Sequence, residues 1–212
     1  MHITVVSPDQ YQQQQALLVQ MHRLRAKVFG SRMGWEVFVE GGEERDCYDA
    51  LGPSYVLAVD GNQSVMGCAR LLPAMGPTML ADTFPQLLVD GALAANPAMV
   101  ESSRFCVDTS LEAGRGGGQL HLATLTMFTG IVEWSIANGY SEIVTATDLR
   151  FERILKRAGW PMTRLGEPTP IGDTQAVAGS LPADQPSFDR LRPIGYRSDI
   201  VPTANAATRR VA

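Results

Sequence analysis

The stretch MVESSRFCVD, residues 99–108, places a carboxylate, two hydroxyls and a guanidinium in four consecutive positions and then becomes apolar. Apolar and aromatic residues in this order are typical of a β-strand. Because side chains alternate between the two faces of a strand, we expect Glu101 to share one face with Ser103 and Phe105. Arg104 is then expected on the opposite face, with a different partner. An ordinary ion pair at a strand end is the alternative for each charged residue.

A second strand with a buried charge is predicted upstream of this stretch. Residues 54–60 and 65–72, SYVLAVD and VMGCARLL, flank a Gly-Asn turn and predict a β-hairpin. Arg70 is the one charged residue of the return strand. Guanidinium groups inside strands are costly unless carboxylates match their charge. We therefore expect Asp46 and Asp49, from the acidic segment before the hairpin, to lie beside the strand arginines.

Helical and strand patterns alternate along the rest of the chain. The expected strands lie at 3–6, 142–147 and, more weakly, 176–179. The expected helices run from Ser7 or Asp9 to Gly30 and over 79–88, 119–138 and 148–158, and an irregular loop is expected at 40–49. This alternation predicts an α/β fold, a three-layer α/β/α sandwich around a mixed, partly antiparallel sheet. We expect one domain over residues 1–212, with a flexible tail at 203–212.

The composition argues against several classes of protein. Apolar residues make up 45% of the chain and charged residues 19%, which is typical of a globular protein. The net charge of -4 argues against a general nucleic-acid binder, and no apolar run approaches the roughly 20 residues that span a bilayer. The N-terminus lacks the pattern of a secretion signal, and the three cysteines form no CxxC or Cys/His cluster. We therefore expect a cytoplasmic protein with reduced thiols and no structural zinc.

A glycine-rich segment at residues 114–120 can be tested against two phosphate-binding signatures. It lacks the third glycine of a dinucleotide-binding turn. It also departs from the pyrophosphate cradle of acetyl-CoA-dependent N-acetyltransferases, because Leu120 occupies the sixth position of that motif. A surface loop is the preferred interpretation. A CoA-dependent N-acyltransferase is the disfavoured alternative for the whole chain.

A set of polar residues is not explained by a core role and forms the candidate site. Acids, fixed guanidinium groups and aromatic faces together suit a small zwitterion that also carries a cationic centre. A metal site at Asp46 and Asp49 lacks an evident third ligand, so we expect no metal. The set consists of Arg25, Asp46, Asp49, Arg70, Glu101, Ser103 and Arg104, with Phe29, Trp35 and Phe84 as aromatic companions.

The chain resembles the LuxI-type acyl-homoserine-lactone synthases, which make bacterial quorum-sensing signals. The motifs that carry the resemblance are RLRAKVF at 23–29, Trp35, ERDCYD at 44–49, GCARLLPAMGPTML at 67–80, Phe84 and VESSRF at 100–105. The branch carried on conjugative plasmids of rhizobia and agrobacteria is most similar. Its resemblance extends to VSPDQY at 6–11 and ATDLRFERILKRAGWPM at 146–162.

This resemblance implies a fold like that of the N-acetyltransferases (GNAT-like) and a reaction of two substrates. S-adenosylmethionine supplies its amino group, and an acyl carrier protein supplies a fatty acyl thioester. The amine attacks the thioester, after which the methionine carboxylate closes a lactone and expels methylthioadenosine. S-adenosylmethionine is a substrate, and the resemblance implies no metal or redox cofactor.

The resemblance also implies roles for the candidate residues. Glu101 is expected to take a proton from the substrate ammonium, or else only to hold Arg70 or Arg104 in place. Ser103 is expected to hydrogen-bond substrate rather than to act as a nucleophile. The residues expected to bind S-adenosylmethionine are Arg25, Phe29, Trp35, Asp46, Asp49, Arg70 and Phe84, with Glu101, Ser103 and Arg104 nearest the chemistry.

Acyl selectivity and docking are assigned in the same way. Thr145 occupies a position that tends to be Thr in family members preferring 3-oxoacyl chains, and the branch resemblance implies a medium chain near C8. The helix at 148–158 has a basic face that is expected to dock the acidic carrier protein, although a solvated helix face explains it equally well. A non-catalytic protein that binds adenosylmethionine or a lactone stays open as the second alternative. The basic face consists of Arg150, Arg153, Lys156 and Arg157.

Overall fold

The stretch at residues 99–108 provides a central strand of an eight-stranded sheet in the computed structural model, which describes residues 1–32, 37–108 and 121–201. The strands are β1 (His2–Val6), β2 (Val39–Glu40), β3 (Glu43–Glu44), β4 (Ser54–Val59), β5 (Val65–Pro73), β6 (Met99–Val107), β7 (Glu142–Asp148), β8 (Thr163–Arg164), β9 (Thr169–Ile171) and β10 (Thr174–Pro182). The α-helices are α1 (Gln15–Arg25), α2 (Leu122–Ala137), α3 (Leu149–Arg157) and α4 (Gln185–Leu191). Short 3-10 helices lie at Pro8–Gln10, Cys47–Leu51 and Pro85–Leu87, and π-helical turns at Ala26–Arg32 and Met79–Thr83.

The main sheet is mixed, as the sequence predicts. Its strands follow the order β1-β4-β5-β6-β7-β10-β8, with β9 beside β10. The pair β6–β7 is parallel and the other neighbours are antiparallel. The predicted hairpin is confirmed as β4 and β5, which places Arg70 directly opposite Tyr55.

Helices cover both faces of the sheet and complete the three layers. On one face, Leu24 and Val28 pack with Leu57 of β4 in one apolar cluster. On the other face, α2 packs Phe128 against Phe105 of β6 and Phe151 of α3, with ring centroids 5.2 and 5.7 Å apart. This confirms the predicted α/β/α sandwich. Among the described residues, no helix has the length and apolar character needed to cross a membrane.

A β-bulge interrupts the alternation of side chains along β6. Two residues of β6, Arg104 and Phe105, lie opposite a single residue of β5, and regular pairs flank them on both sides. Arg104 takes a left-handed φ of 53°, a conformation that is uncommon for residues with a side chain. The extra residue moves Arg104 onto the face of Glu101 and sends Phe105 to the opposite face, where it meets Phe128. The predicted alternation is therefore wrong beyond Ser103.

Several predicted boundaries also differ from the structure. The first helix begins at Gln15 rather than at Ser7 or Asp9. Ser7 instead caps a short 3-10 helix, and π-helical turns carry the chain past Gly30. The segment at 40–49, predicted as an irregular loop, contains strand residues and a 3-10 helix. The weak strand extends over Thr174–Pro182, and α4 follows it where an irregular return was expected. The proposed tail at 203–212 and the glycine-rich segment lie outside the described residues.

Candidate active site

Three arginines converge on one face of the sheet from different elements. Arg25 ends α1, Arg70 lies in the middle of β5, and Arg104 occupies the bulge of β6. The side chains of Arg25 and Arg70 are fully buried, and that of Arg104 is 12% exposed. Burying such charges requires partners, since an isolated ion in the interior costs several kcal/mol even after relaxation, about the size of a whole domain's stability.

The partners come from one short segment that precedes the hairpin. Arg25 makes a two-pronged contact with Asp49, with Nη1–Oδ1 and Nη2–Oδ2 distances of 2.8 and 2.9 Å, and donates Nε–H to Glu44. Arg70 donates to Asp46 and to Asp49 Oδ1, the latter at 3.1 Å. The prediction that Asp46 and Asp49 match the strand arginines is confirmed.

Arg104 is the third arginine of the network. Its Nη2 lies 2.8 Å from Asp46 Oδ2, and its Nε donates to Glu44 Oε1 over 3.2 Å. The contact with Asp46 is close but poorly aligned as a hydrogen bond, so we regard it as mainly coulombic. The guanidinium also lies 5.5 Å above the ring of Phe29, within the range of a cation–π contact.

Hydrogen bonds between the carboxylates of the acidic segment and its own backbone N–H groups stabilise its conformation. Asp46 caps the 3-10 helix Cys47–Leu51 by accepting the Tyr48 N–H at 2.9 Å, and Asp49 accepts the Asp46 N–H at the same distance. Burial alone raises the pKa of the Asp49 carboxyl, but the hydrogen bonds and charge of Arg25, together with the charge of Arg70, lower it overall. Asp49 is therefore an anion throughout the physiological range, and the network keeps its charge balance.

Glu101 has different partners from those expected. Its carboxylate accepts the backbone N–H groups of Met79 and Leu80, at 3.2 and 2.6 Å, and so ties the π-helical turn Met79–Thr83 to β6. The residue is 1% exposed. Burial raises the pKa of this carboxyl, while the two N–H bonds oppose the rise. Glu101 therefore anchors this turn, while the charge of Arg70 also acts on its carboxylate.

Ser103 and Arg70 are joined within the site. The Ser103 hydroxyl accepts the Arg70 Nε–H at 3.1 Å, which fixes the plane of the guanidinium. In this orientation Arg70 Nη2 is buried and has no hydrogen-bond partner among the described residues. Its two N–H donors are suited to a carboxylate ligand, because guanidinium–carboxylate hydrogen bonds are strong and directional.

The aromatic candidates border this cluster. Phe29 is 2% exposed and lies beneath Arg104, so it supports the guanidinium. Phe84 is half-buried and packs against Tyr48 and Met79. Trp35 lies outside the described residues.

The remaining candidates lie away from the charged cluster. Thr145 is on β7, directly after the last residue that pairs with β6. The basic residues of α3 are exposed, while Leu155 faces the core, as the helical pattern predicts. These exposed residues are Arg150, Arg153, Lys156 and Arg157.

Glu44 belongs to the network although the sequence did not single it out. It is fully buried and joins Arg25 to Arg104, and its backbone oxygen lies 2.9 Å from Nδ1 of His22. Charge balance is the signal that could have revealed it. Three buried guanidinium groups need three carboxylates, and Asp46 and Asp49 supply only two.

Tyr55 forms a second layer behind the network. Its hydroxyl donates to Asp49 Oδ1 over 2.7 Å, and the residue is 2% exposed. Burial and the charge of Asp49 raise the pKa of this hydroxyl, so it stays a donor. As the direct cross-strand neighbour of Arg70, Tyr55 helps to fix the acid that two arginines share.

The strand order and the helices on both faces define the N-acyltransferase fold class. An acyl-CoA N-acyltransferase from Pseudomonas aeruginosa has a similar fold, with a TM-score of 0.53 at 13% identity over 84% of this chain and 97% of that one. The CoA-dependent acyl-homoserine lactone synthase BjaI is more similar in fold, with a TM-score of 0.83 at 24% identity over 100% and 99% of the two chains.

Sequence comparison identifies the family. The family model described as Autoinducer synthase matches residues 9–191, and the chain belongs to this family. An acyl-homoserine-lactone synthase of Rhizobium radiobacter is 70% identical over 94% of both chains. Another, of Agrobacterium fabrum, is 63% identical over 100% of both. The resemblance to rhizobial and agrobacterial synthases is confirmed, and the protein is an acyl-homoserine-lactone synthase, an acyltransferase of quorum sensing.

Removing the hydroxyl of Tyr55 tests whether its hydrogen bond fixes Asp49. Tyr55→Phe keeps the ring but removes a donor from Asp49, so we expect a loss of about 1.5–3 kcal/mol in the free energy of unfolding, as for a hydrogen bond to a charged group. Synthase activity should fall several-fold because the shared acid is less well fixed. Urea denaturation and initial rates measure the two effects.

Tyr196→Phe is the matched control for this change. It removes the same kind of bond, a hydroxyl 2.7 Å from the Glu133 carboxylate, on the opposite face of the sheet. We expect it to lower stability and leave activity unchanged. Equal activity in the two variants would contradict the role given to Tyr55.

Proposed function

We propose that this enzyme joins the amino group of S-adenosylmethionine to a medium-chain 3-oxoacyl group, near C8, carried on acyl carrier protein, and releases an N-acyl-L-homoserine lactone and methylthioadenosine. The observation that carries the proposal is the buried cluster around Arg70. It combines fixed guanidinium groups, a guanidinium nitrogen that has no hydrogen-bond partner in the described part of the chain, and aromatic neighbours.

The charges of the cluster complement those of S-adenosylmethionine. Three guanidinium groups are matched by Glu44, Asp46 and Asp49, and Glu101 adds a further negative charge when ionised. S-adenosylmethionine carries an ammonium, a sulfonium and a carboxylate, with one net positive charge. In the proposed complex, Arg70 Nη2 donates to the carboxylate and the acids face the cationic groups.

The proposed reaction has two steps whose atoms balance without a further reactant. The ammonium first gives a proton to Glu101, directly or through water, and the free amine attacks the thioester carbonyl and releases the carrier thiol. The methionine carboxylate then attacks its own γ-carbon, and the C–S bond of the sulfonium breaks to release methylthioadenosine. No metal or redox cofactor is part of the proposal, and we place the reaction in the cytoplasm, where both substrates are made.

Reconstitution tests the proposed function. The purified chain is mixed with S-adenosylmethionine and a panel of acyl carrier proteins and acyl-CoAs, and lactone and methylthioadenosine are followed by mass spectrometry. We expect both products in equal amounts and only with a thioester donor. If adenosylmethionine binds but no donor yields either product, the protein is a binding protein and the proposal is wrong.

The role of Glu101 is tested through the pH dependence of the rate. Glu101→Gln removes the charge and places an amide N–H against backbone donors, so we expect both kcat and the free energy of unfolding to fall, the latter by about 1–3 kcal/mol. If Glu101 accepts the substrate proton, the wild-type rate falls as pH drops through a pKa above the ordinary glutamate value of about 4.3, because the protonated acid cannot act as a base. This fall in rate at low pH, the acid limb of the pH profile, should be absent from the variant.

Thr78→Val is the control for anchoring alone. The Thr78 hydroxyl caps the same π-helical turn by accepting the Ala81 N–H at 3.2 Å, so its loss loosens the turn but keeps the carboxylate. The acid limb should persist in this variant. A Glu101→Gln enzyme with a near-normal rate would contradict both roles of Glu101.

The electrostatics of α3 support a carrier-protein donor. Its basic residues are exposed on a chain whose net charge is -4. Glu152, the acid on this helix, is held by Arg164 through two bonds of 2.7 and 2.8 Å, so its charge is compensated locally. The helix therefore presents a positive surface suited to steering an acidic protein.

Charge reversal tests this surface. Arg153→Glu combined with Lys156→Glu should raise KM for acyl carrier protein at least tenfold and leave KM for S-adenosylmethionine unchanged, because only the protein substrate needs the long-range field. The effect should weaken at high salt. The double variant Arg23→Glu and Arg192→Glu, which changes the same charge at exposed sites elsewhere, serves as control. Equal changes in both KM values would count against docking at α3.

We expect the Thr145 hydroxyl to recognise the third carbon of the acyl chain. Its Oγ1 lies 3.5 Å from the Ala146 carbonyl, too far for a good hydrogen bond, so the hydroxyl is available to a ligand.

Thr145→Val should therefore reduce the preference for 3-oxoacyl over unsubstituted chains by about tenfold, the scale of one lost hydrogen bond. The ratio of kcat/KM for the two donors measures this preference. Thr147→Val changes the next residue on the same face of β7 and is the matched control. If only Thr147→Val lost the preference, the contact would belong to Thr147 and the role proposed for Thr145 would be wrong.

A further inference from the structure

The sheet opens beside Thr145. The parallel strands β6 and β7 pair only where Met99–Glu101 meets Glu142–Val144, although β6 continues to Val107 and β7 to Asp148. The two strands therefore separate beyond this point. Phe105 of β6 and Thr145 of β7 border the resulting gap, and both are partly exposed.

The face onto which Thr145 points follows from its neighbours. Ile143 belongs to the apolar cluster beneath α2 and α3, whereas Val144 belongs to the cluster on the opposite face. By alternation, Thr145 shares the face of Ile143. Gly179 is its direct partner on β10 and occupies the same face.

Met162 fills the place that a side chain at Gly179 would take. A Cβ atom on Gly179 would lie 2.5 Å from Met162 Sδ and closer still to its Cγ. Cross-strand Cβ positions are about 4.5–5.5 Å apart, so the thioether lies within about 8 Å of the Thr145 Cβ. Met162 is only partly buried and packs against the same apolar cluster as Phe151 and Ile154.

We propose that Met162, lodged across Gly179, forms the end wall of the acyl pocket and limits the length of chain that the enzyme accepts. This inference rests on the proposed function, which places the third acyl carbon at Thr145. From that point the chain extends along an apolar face toward the Met162 side chain. Methionine suits such a wall because its unbranched thioether adapts its shape to the group beside it.

The size of the Met162 side chain should then set the preferred donor. One methylene that fits or fails to fit an apolar pocket changes discrimination by about 10–200-fold. Met162→Ala should shift the preferred 3-oxoacyl chain to greater length by about two carbons, with at least a tenfold change in the ratio of kcat/KM for the two donors. Met162→Phe should shift the preference to shorter chains.

The experiment uses the full chain with S-adenosylmethionine and competing 3-oxoacyl carrier proteins from C6 to C12, and lactones are quantified by mass spectrometry. Met99→Ala is the matched control, since it removes a buried methionine from the cluster on the opposite face. We expect it to lower thermal stability without changing the order of preference.

The outcomes separate this inference from the proposed function. Opposite shifts in the two Met162 variants support the end wall. If either variant folds and remains active but keeps the wild-type chain-length preference, the end-wall inference is wrong. Lactone synthesis by the wild type would still support the proposed function. A wild-type enzyme that makes no lactone with any donor would instead overturn the proposed function.

Discussion

Charge neutralisation inside the protein is the constraint on which the rest of the structure depends. Arg25, Arg70 and Arg104 project from a helix and two strands into a region without enough solvent to screen them. Removing one partner from such a buried pair costs about 3–5 kcal/mol, a large share of a domain's stability. The fold must therefore bring the segment with Glu44, Asp46 and Asp49 against all three at once, and this requirement fixes the position of α1 relative to β5 and β6.

The bulge in β6 follows from the same constraint. Regular alternation would turn Arg104 away from Glu44 and Asp46, whereas the extra residue turns it toward them. Its left-handed backbone costs of order 1–3 kcal/mol, and the ion pairs and the Phe29 contact offset that strain. Local strain of this kind persists where the surrounding structure determines the conformation, so a strained Arg104 at the centre of the cluster is consistent with a functional role.

The two faces of the sheet have different chemistry. The face toward α1 carries the charged cluster, while the face toward α2 and α3 carries aromatic and aliphatic side chains. Between these two faces, β6 and β7 pair only where Met99–Glu101 meets Glu142–Val144, so the ladder of hydrogen bonds ends beside Thr145. This arrangement accords with the proposed reaction, in which a polar amine and an apolar acyl group meet.

The sequence by itself determined the class of fold, the hairpin around Arg70 and the match of Asp46 and Asp49 to buried arginines, because hydrophobic period, turn residues and charge balance are local or additive properties. The family followed from ordered motifs along the chain. Tertiary structure alone decided that Arg104 shares a face with Glu101, since a bulge depends on the register with β5. It also decided the partners of Glu44 and the backbone contacts of Glu101. Spacing along a chain does not encode which distant groups meet when separate elements pack together.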